Sequence, residues 1–530
     1  MTPLTALLAV TIATAPPARD TVPLYTDLGN YHAAISTSVP LAQQYFDQGL
    51  RLTYGFNHAE AIRAYREAAR LDPKCAICWW GVAFAYGPNI NAPMDSASGV
   101  EAYKAAREAK RLAGNASPRE RAYIDAIQKR YASVPPANRA KLDSAYATAM
   151  GKVADRFPDD QDAQTLHADA LMNLSPWYYW NSDGTPRPAT PMMLKRLESV
   201  IAVNERHPGA CHLYIHAVEA VEPEKAVPCA ERLASLMPGA GHLVHMPAHI
   251  YIRVGRFADA VTANQHAVHT DEMFIEGQRP SGIYPAGYYP HNYHFLAFAA
   301  MMSGQSKVAL EASKGLSAKV SPEIAKVALF LQCMIPYHQL ALVTFGHWDE
   351  VLAQPMPPAD LPVATGLAHY ARGVAFAATG RAGEASKELT RVQALAGAQS
   401  EGSDPRKILD IAFHALAGEI ALRGGKAAEA VTHFEAARVV EDGILYNEPP
   451  FWYYPVRESL GGALLAAGRP ADAERAFRED LAKFPGNVWS LYGLLASLRA
   501  QGKTVEAEQA QAQLRSAGAS ADVILTGSRF

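Results

Sequence analysis

The stretch GRPADAERAFREDLAKFP, residues 468–485, carries the pattern that decides the fold. Gly468 is suited to end one helix, because glycine readily adopts the left-handed conformation of a helix C-cap. Ala473, five residues later, is small enough for the next helix to pack closely against the first. The stretch therefore predicts two helices joined at Gly468.

The same spacing of glycine and alanine recurs through the second half of the chain. The steps from Gly346 to Gly380 and from Gly468 to Gly502 are both 34 residues, and Val351 takes the alanine position after Gly346. The other steps are longer and place their extra residues in loops. The remaining pairs are Gly255/Ala260, Gly304/Ala309, Gly380/Ala385, Gly425/Ala430 and Gly502/Ala507. No strand-like alternation of useful length occurs, so the sequence predicts an all-α protein.

Residues 42–73 carry the first clear unit near the N-terminus. Small and aromatic residues stand there at the offsets of a 34-residue helix–turn–helix: Tyr45, Gly49, Ala61, Tyr65, Ala68 and Pro73. This pattern resembles the tetratricopeptide repeat (TPR) family. Further positions of the TPR consensus are matched by Gly461, Phe477 and Pro485. Residues 54–91, from YGFNHAEA to GPNIN, resemble a largely uncharacterised bacterial group of TPR proteins. The resemblance implies a superhelical solenoid of helix–turn–helix repeats with a concave inner groove.

Composition narrows the class of partner. The chain is 49% hydrophobic and 19% charged, which is ordinary for a globular protein, and its formal net charge of −3 gives no electrostatic reason to expect nucleic acid as a partner. No apolar run reaches the roughly 18 residues that a transmembrane helix needs. The expected partners are therefore a protein, a peptide or a small-molecule substrate.

The N-terminus has features of an export signal. Residues 4–15 form an apolar run of signal-peptide length that ends in the small residues Ala13, Thr14 and Ala15, although no Lys or Arg precedes it. We predict a signal peptide over residues 1–18 and a periplasmic or secreted protein. The predicted regions that follow are an N-terminal TPR-like region, a His-rich TPR-like region, a C-terminal TPR array and a loose tail, over residues 24–190, 191–316, 317–516 and 517–530.

Four of the five cysteines form two local pairs. Cys75 and Cys78 are compatible with a local disulfide, half of a metal site or two buried apolar residues. Cys211 and Cys229 are expected near the starts of two antiparallel helices. Since this places them at opposite ends of the pair, the sequence predicts no bridge between them.

Histidines concentrate between His207 and His294, where ten of the 18 lie. Their spacing puts them on helix faces, because residues three, four or seven apart share one face. Pro247 removes a backbone donor and is expected to kink the second of these helices. The three faces consist of His212, His216 and Glu219, of His242, His245 and His249, and of His291 and His294.

The resemblance implies a common direction for these faces. Repeats counted back from Gly255 and Gly304 put His242 and His291 at the second position of two first helices. Alignment of the Pro-Gly-Ala triplets at residues 208–210 and 238–240 puts His212 at the same position of the preceding unit. In the TPR family, this position faces the concave groove. The imidazoles of three neighbouring helices are therefore expected to project into one groove.

Converging neutral imidazoles are common protein ligands for zinc, copper and iron, so the sequence predicts a transition-metal site. Glu219 is the candidate catalytic residue, as a general base toward a bound water or as a carboxylate ligand. The same side chains are also compatible with a polar groove that hydrogen-bonds a peptide or small molecule. The expected ligands are His242, His245, His249 and His291, with His212, His216, His294 and Glu219 at the metal or directly behind it.

Two aromatic clusters are candidate binding surfaces, because amphipathic rings line many peptide and sugar grooves. They equally suit packing between repeats. Residues 272–289, rich in Gly, Pro and Tyr, are compatible with a lid over the groove or with a surface excursion. The candidate binding residues are Trp177, Tyr178 and Trp180 in the first cluster, and Trp452, Tyr453 and the following Arg457 in the second.

No HExxH, GxSxG or phosphate-binding Gly-rich motif is present, so the sequence assigns no reaction. It predicts a TPR solenoid whose His-lined concave site binds a transition metal together with a small molecule or peptide. The alternative is a non-enzymatic scaffold for protein–protein interaction. Repeat architecture does not decide between an enzyme and a scaffold.

Overall fold

The computed structural model describes residues 22–529, so the predicted signal peptide over residues 1–18 lies outside the described residues. Within the described part, the regular elements are helices, and β-type pairing is limited to two isolated bridges, Asn89–Ala92 and Trp180–Pro186. The fold is all-α and of TPR type, as the sequence predicts. No helix in residues 22–529 is both long and apolar enough to cross a bilayer.

The helices follow one another from residue 40 to residue 517, with short 3-10 turns at Ala113–Asn115 and Pro223–Ala226 and a π-turn at Tyr284–Tyr288. They are α1 (Pro40–Tyr54), α2 (His58–Leu71), α3 (Ala76–Ala85), α4 (Ser96–Leu112), α5 (Pro118–Ile127), α6 (Ala140–Arg156), α7 (Gln161–Met172), α8 (Thr190–Val203), α9 (Pro208–Val218), α10 (Val227–Leu236), α11 (Gly241–His245), α12 (Pro247–Arg253), α13 (Phe257–Gln278), α14 (Tyr289–Met302), α15 (Ser306–Lys319), α16 (Pro322–Ala325), α17 (Leu329–Met334), α18 (Tyr337–Thr344), α19 (Trp348–Ala353), α20 (Pro362–Ala378), α21 (Ala382–Gly397), α22 (Asp404–Arg423), α23 (Ala427–Asp442), α24 (Val456–Ala466), α25 (Pro470–Lys483), α26 (Val488–Ala500) and α27 (Thr504–Ala517).

The chain forms two compact units. The described part of the first unit comprises residues 22–250 and 266–289, and that of the second comprises residues 251–265 and 290–529. The predicted region boundaries after residues 190 and 316 do not coincide with this division and stay predictions about how the repeats are grouped.

The first unit begins with a hairpin built as the sequence predicts. Tyr65 of α2 is fully buried and lies against Gly49 of α1, where an added Cβ would come within 2.6 Å of the Tyr65 ring. Gly81 of α3 meets the same ring, with an added Cβ 2.5 Å away. The two glycines let three helices approach one tyrosine, which explains why small and aromatic residues recur at these offsets.

The second unit repeats this design. Phe477 of α25 is buried between Gly461 of α24 and Gly493 of α26. The predicted helix-ending glycines have left-handed φ angles between +71° and +81°, and the residues five positions later are all buried, which confirms the repeat pattern. These glycines are Gly255, Gly304, Gly346, Gly380, Gly425, Gly468 and Gly502.

The break predicted at Pro247 is present. Helix α11 ends at His245 and α12 begins at Pro247, so the two histidine-bearing turns are separate helices. Much of residues 272–289 is helical, because α13 extends to Gln278 and a π-turn follows at Tyr284–Tyr288. Within the first unit, the hydroxyl of Tyr284 in this segment donates to Asp271 Oδ1 over 2.7 Å.

Both cysteine pairs are disulfides, Cys75–Cys78 and Cys211–Cys229. The second pair corrects the sequence prediction. The chain returns beside α9 through residues 219–226 before α10 begins, and this brings Cys229 level with Cys211 at a Cα–Cα distance of 5.1 Å. The sequence prediction treated α9 and α10 as a plain antiparallel pair and did not include residues 219–226 between them.

Candidate metal centre

The first unit gathers five histidines and one carboxylate in its interior. His212 and His216 come from α9, His242 and His245 from α11, and His249 from α12. Together with Glu219 at the C-terminal end of α9, they are at most 2% exposed. Imidazole and carboxylate groups are rarely buried in such density unless each is hydrogen-bonded or holds a ligand.

One ring nitrogen of His212 is fixed by the backbone. Nδ1 of His212 lies 2.6 Å from the carbonyl oxygen of Tyr54, and a carbonyl only accepts, so this nitrogen carries the proton. The other nitrogen, Nε2, then has a lone pair. It is buried and has no hydrogen-bond partner in the described residues.

Glu219 fixes two further imidazoles. Its Oε1 accepts from Nδ1 of His216 over 2.9 Å, and its Oε2 accepts from Nδ1 of His249 over 2.6 Å. Burial alone would raise the pKa of Glu219, but His249 and His216 lower it to about 2, so the carboxylate is ionised. Nε2 of His216 is left buried with a lone pair and no hydrogen-bond partner. This is the arrangement in which a carboxylate orients a metal-binding histidine.

Three of the imidazoles converge. His212, His216 and His242 each offer one nitrogen, and these three atoms lie within 4.8 Å of one another. Burial lowers the pKa of His212 and of His216 below the ordinary value, which favours the neutral form that binds metal ions. The set therefore satisfies the donor chemistry of a three-histidine metal site.

His245 and His249 form a second layer of the cluster. Their Nε2 atoms are 2.9 Å apart. Since Nδ1 of His249 donates to Glu219, Nε2 is the His249 atom that contacts His245. A chain of contacts thus runs from His245 through His249 and Glu219 to His216.

Aromatic rings surround the imidazoles, and two of them sit on unusual backbone. Phe56 lies 4.4 Å from the His212 ring and Trp177 lies 5.0 Å from the His216 ring, measured between centroids. Both have positive φ angles, +55° and +67°. Such conformations cost a non-glycine residue about 1–3 kcal/mol and concentrate at functional sites. The Tyr288 ring, from residues 272–289, lies 4.7 Å from that of His242.

The space beside the cluster is small. A cavity of about 10 Å³ lies next to His212 and is also lined by Phe56, His58 and Asp169. This volume holds about one water molecule. This cavity by itself is too small for a larger molecule.

The other two predicted ligands belong to the second unit. His294 is buried there against Tyr337, with ring centroids 4.6 Å apart, and burial lowers its pKa to about 3. The ring of His291 contacts that of Phe295, with centroids 5.0 Å apart. The participation of His291 and His294 in the metal site stays a prediction.

In the first aromatic cluster, Trp177 is the residue that contacts a histidine of the site. Trp177 packs on His216, whereas the Trp180 indole donates to the carbonyl of Ala217 over 2.8 Å. Tyr178 stacks with Arg187 instead, its ring centroid 5.8 Å from the guanidinium carbon. A binding role for Tyr178 and Trp180 stays a prediction.

The second aromatic cluster lies in the interior of the second unit. Trp452 and Tyr453 are no more than 2% exposed. Arg457 is also buried and donates to both oxygens of Asp442, over 2.9 and 2.8 Å. These contacts give all three residues a packing role, and the predicted binding role stays a prediction.

Sequence reasoning missed Tyr54 and Phe56 as parts of the site. Both lie at the turn between α1 and α2, in the YGFNH segment, far in sequence from the histidines. A backbone carbonyl acting as an acceptor leaves no trace in residue type. The one available signal was a large residue between Gly55 and Asn57, where a turn favours small or polar residues.

The chain is similar to known proteins in structure but not in sequence. No family model matches the chain, and no curated protein matches it in sequence. The structure is similar to the human IFIT1 dimer with m7Gppp-AAAA, at 12% identity and a TM-score of 0.32, over 91% of each chain. It is also similar to Cut9–Hcn1 of the APC/C (12%, TM-score 0.31, over 90% of this chain and 73% of that chain) and to yeast Tom70 (10%, TM-score 0.30, over 89% of each). At these scores the likenesses support no inference about the site, and the fold assignment rests on the helices described above.

Proposed function

We propose that this chain is a metal-binding helical-repeat protein whose first unit holds a zinc, copper or iron ion through His212, His216 and His242. One observation carries the proposal. The Nε2 atoms of His212 and His216 are buried without a hydrogen-bond partner, while their Nδ1 atoms are held by a carbonyl and a carboxylate. A buried unpaired polar atom costs about 1–3 kcal/mol, and coordination of a metal ion removes that cost.

The chemistry of the proposed centre follows from its donor set. Three imidazoles leave a position for water or substrate on a four-coordinate ion, and such an ion supplies a Lewis acid or an activated water. The carbonyl of Tyr54 and the carboxylate of Glu219 orient the imidazoles. A small molecule or peptide is the proposed substrate, and the role of Glu219 as a general base stays a prediction.

A second candidate is a non-enzymatic scaffold in which the metal ion, if bound, is structural. The burial of the cluster favours it, because the site residues are at most 2% exposed and the adjoining cavity has about 10 Å³. In that case the repeats bind a protein or peptide elsewhere. Nucleic acid as a partner is not part of either proposal, because the net charge is −3.

We further propose that the protein is exported, as its N-terminal sequence predicts. Two disulfides support this, because such bonds persist in oxidising compartments such as the periplasm. Mass spectrometry of the protein from its native host is expected to find a mature N-terminus near residue 18. An uncleaved chain in the cytosolic fraction would contradict export. We also propose that the chain belongs to the bacterial group of TPR proteins that residues 54–91 resemble.

The metal proposal is tested by elemental analysis of the untagged full-length chain. We expect about one zinc, copper or iron ion per chain, with loss of the ion in His212→Gln and His216→Gln. Glutamine keeps a donor for the Tyr54 carbonyl and for Glu219 but lacks the imidazole nitrogen. The matched control is His347→Gln, because His347 lies in the second unit and its side chain is 39% exposed. A chain that takes up none of the three metals on titration, or variants that retain the ion, would contradict the proposal.

A further inference from the structure

The segment after the last helix is fixed at its start to the second unit, contrary to the predicted loose tail. The carboxylate of Asp522 accepts from the backbone N–H groups of Ser306 and Lys307, over 2.6 and 3.1 Å. The N–H of Asp522 donates to the carbonyl of Gly304 over 3.1 Å. These contacts satisfy backbone groups at the turn between α14 and α15, where a carboxylate is favoured by the positive helix N-terminus.

The segment is fixed again six residues later on α24. The hydroxyl of Ser528 donates to the carbonyl of Glu458 over 3.0 Å and is buried. Gly462 allows Ser528 to lie this close to α24, because a Cβ added at Gly462 would lie 2.9 Å from the Ser528 hydroxyl oxygen. Gly461, by contrast, contacts Phe477 inside the repeat. The two adjacent glycines therefore serve different neighbours.

Arg529 enters a pocket of aromatic and acidic side chains. Its guanidinium carbon lies 3.5 Å from the Tyr454 ring centroid, and Nη2 donates to the Tyr453 hydroxyl over 3.3 Å. Glu419 of α22 and Glu458 of α24 interact electrostatically with this cation. Rings that face a cation, with carboxylates nearby, constitute a recognition site for arginine.

In the middle of the segment, Val523 and Leu525 are half-buried. Ile524, between the two attachment points, is 86% exposed. A segment held by polar contacts at its two ends opens locally at low cost compared with a packed helix. It therefore resembles a bound peptide more than a structural element of the unit.

We propose that the α14–α15 turn, helices α22 and α24 and the Trp452–Tyr454 turn form a binding site for an extended peptide. The peptide carries an aspartate for the α14–α15 turn and, six residues later, a Ser-Arg pair for the remainder of the site. Residues 522–529 occupy this site as an internal ligand. The partner is a protein segment of that chemistry. An attached segment is present at millimolar effective concentration, so it excludes a free peptide of similar intrinsic affinity. The proposal does not depend on the metal centre of the first unit.

The test uses full-length protein and a fluorescent peptide of residues 519–530, ASADVILTGSRF, with binding read from fluorescence anisotropy. The double variant Asp522→Ala/Arg529→Ala removes the contacts of two of the three anchoring side chains, one at each end of the segment, and leaves that of Ser528. We expect this variant to bind the peptide at least ten-fold more tightly than the wild type, and not to bind a peptide with alanine in place of arginine. Equal binding by both proteins, or binding by neither, would overturn the proposal.

A second measurement separates a bound segment from a misfolded unit. Gly462→Ala blocks the Ser528 site while favouring helix, and Gly383→Ala is its control, since an added Cβ at Gly383 meets nothing within 4 Å. We expect hydrogen exchange of residues 519–529 to rise in Gly462→Ala and to stay at the wild-type rate in Gly383→Ala. Fast exchange of this segment in the wild type would overturn the proposal, as would a wild-type dimer that dissociates in the Asp522→Ala/Arg529→Ala variant, because the segment would then belong to a second copy.

Discussion

Glu219 determines how the buried imidazoles are oriented. Its two oxygens accept from different helices, His216 on α9 and His249 on α12, so one carboxylate sets the tautomers of both rings. In the proposed metal centre, Glu219 is then a positioning residue that acts on the ion through the histidines. This role differs from that of a ligand or a general base, and the difference is measurable.

Substitution of Glu219 tests this role. Glu219→Gln keeps the shape but offers one acceptor oxygen and an NH2 group, so only one of the two Nδ1–H donors is satisfied. We expect metal affinity, measured by chelator competition, to fall about 10- to 100-fold, as for other residues that orient metal-bound histidines. Glu222→Gln, in a partly exposed ion pair with Lys225, is the control. Unchanged affinity would contradict the positioning role, and complete loss of the ion would instead identify a ligand.

Phe56 offers a test of backbone strain beside the site. Its φ of +55° is unfavourable for alanine but accessible to glycine. Phe56→Ala and Phe56→Gly both remove the ring that packs on His212. We expect the glycine variant to be more stable than the alanine variant by about 1 kcal/mol in denaturant unfolding, the reverse of the usual order. A more stable alanine variant would show that the turn relaxes when the ring is lost.

At the scale of helices, the close approach of α24, α25 and α26 depends on glycine. Gly493→Ala would drive a Cβ into the buried Phe477 ring. We expect a loss of about 1–3 kcal/mol, from overpacking, measured by calorimetric unfolding. The control Gly383→Ala, on the open side of α21, is expected to gain up to about 1 kcal/mol. Equal stability of the two variants would argue against this packing.

The same scale shows what the sequence can and cannot predict. Helix ends and hairpin packing were predictable, because Gly468 and Ala473 act locally and the pattern recurs. The Cys211–Cys229 bridge was not, because the path of residues 219–226 beside α9 leaves no periodic pattern. The converging nitrogens of His212, His216 and His242 were predictable as a cluster, because these residues share helix faces. The role of His245 and His249 as ligands stays a prediction.

At the scale of the whole molecule, the docking of residues 518–529 on the second unit could not be predicted from the sequence either. Its anchors are single polar contacts to residues more than 60 positions away, such as Ser528 to Glu458. A short polar segment of this composition gives no apolar periodicity from which docking could be inferred. The division into two units likewise coincides with no change in composition.

The pH dependence of stability is a property of each unit as a whole. In the second unit, burial raises the pKa values of several acids, and Asp480 is one of them. Burial raises the pKa of Asp480 from 3.8 to about 6. The folded state therefore keeps the proton at a pH where the unfolded chain has released it. This contribution is fully present below about pH 4 and is lost as the pH rises through about 6.

Asp480→Asn removes this dependence while keeping an oxygen acceptor for Ser490 and Asn487. We expect the loss of unfolding free energy between pH 4 and pH 7 to be smaller in the variant by on the order of 2–3 kcal/mol. Denaturant midpoints at the two pH values measure it, with exposed Asp349→Asn as the control. Parallel pH profiles for the wild type and Asp480→Asn would contradict burial of a protonated carboxyl.

The most direct measurement on the metal centre is X-ray absorption at the edge of the ion bound to the full-length protein. We expect multiple-scattering signals of three imidazole rings, with metal–nitrogen distances of about 2.0–2.1 Å if the ion is zinc. His242→Gln is expected to lose the ion and with it the signal, and the control His347→Gln to keep the signal of three rings. A spectrum without imidazole scattering, or one unchanged in His242→Gln, would contradict the assignment of the ion to His212, His216 and His242.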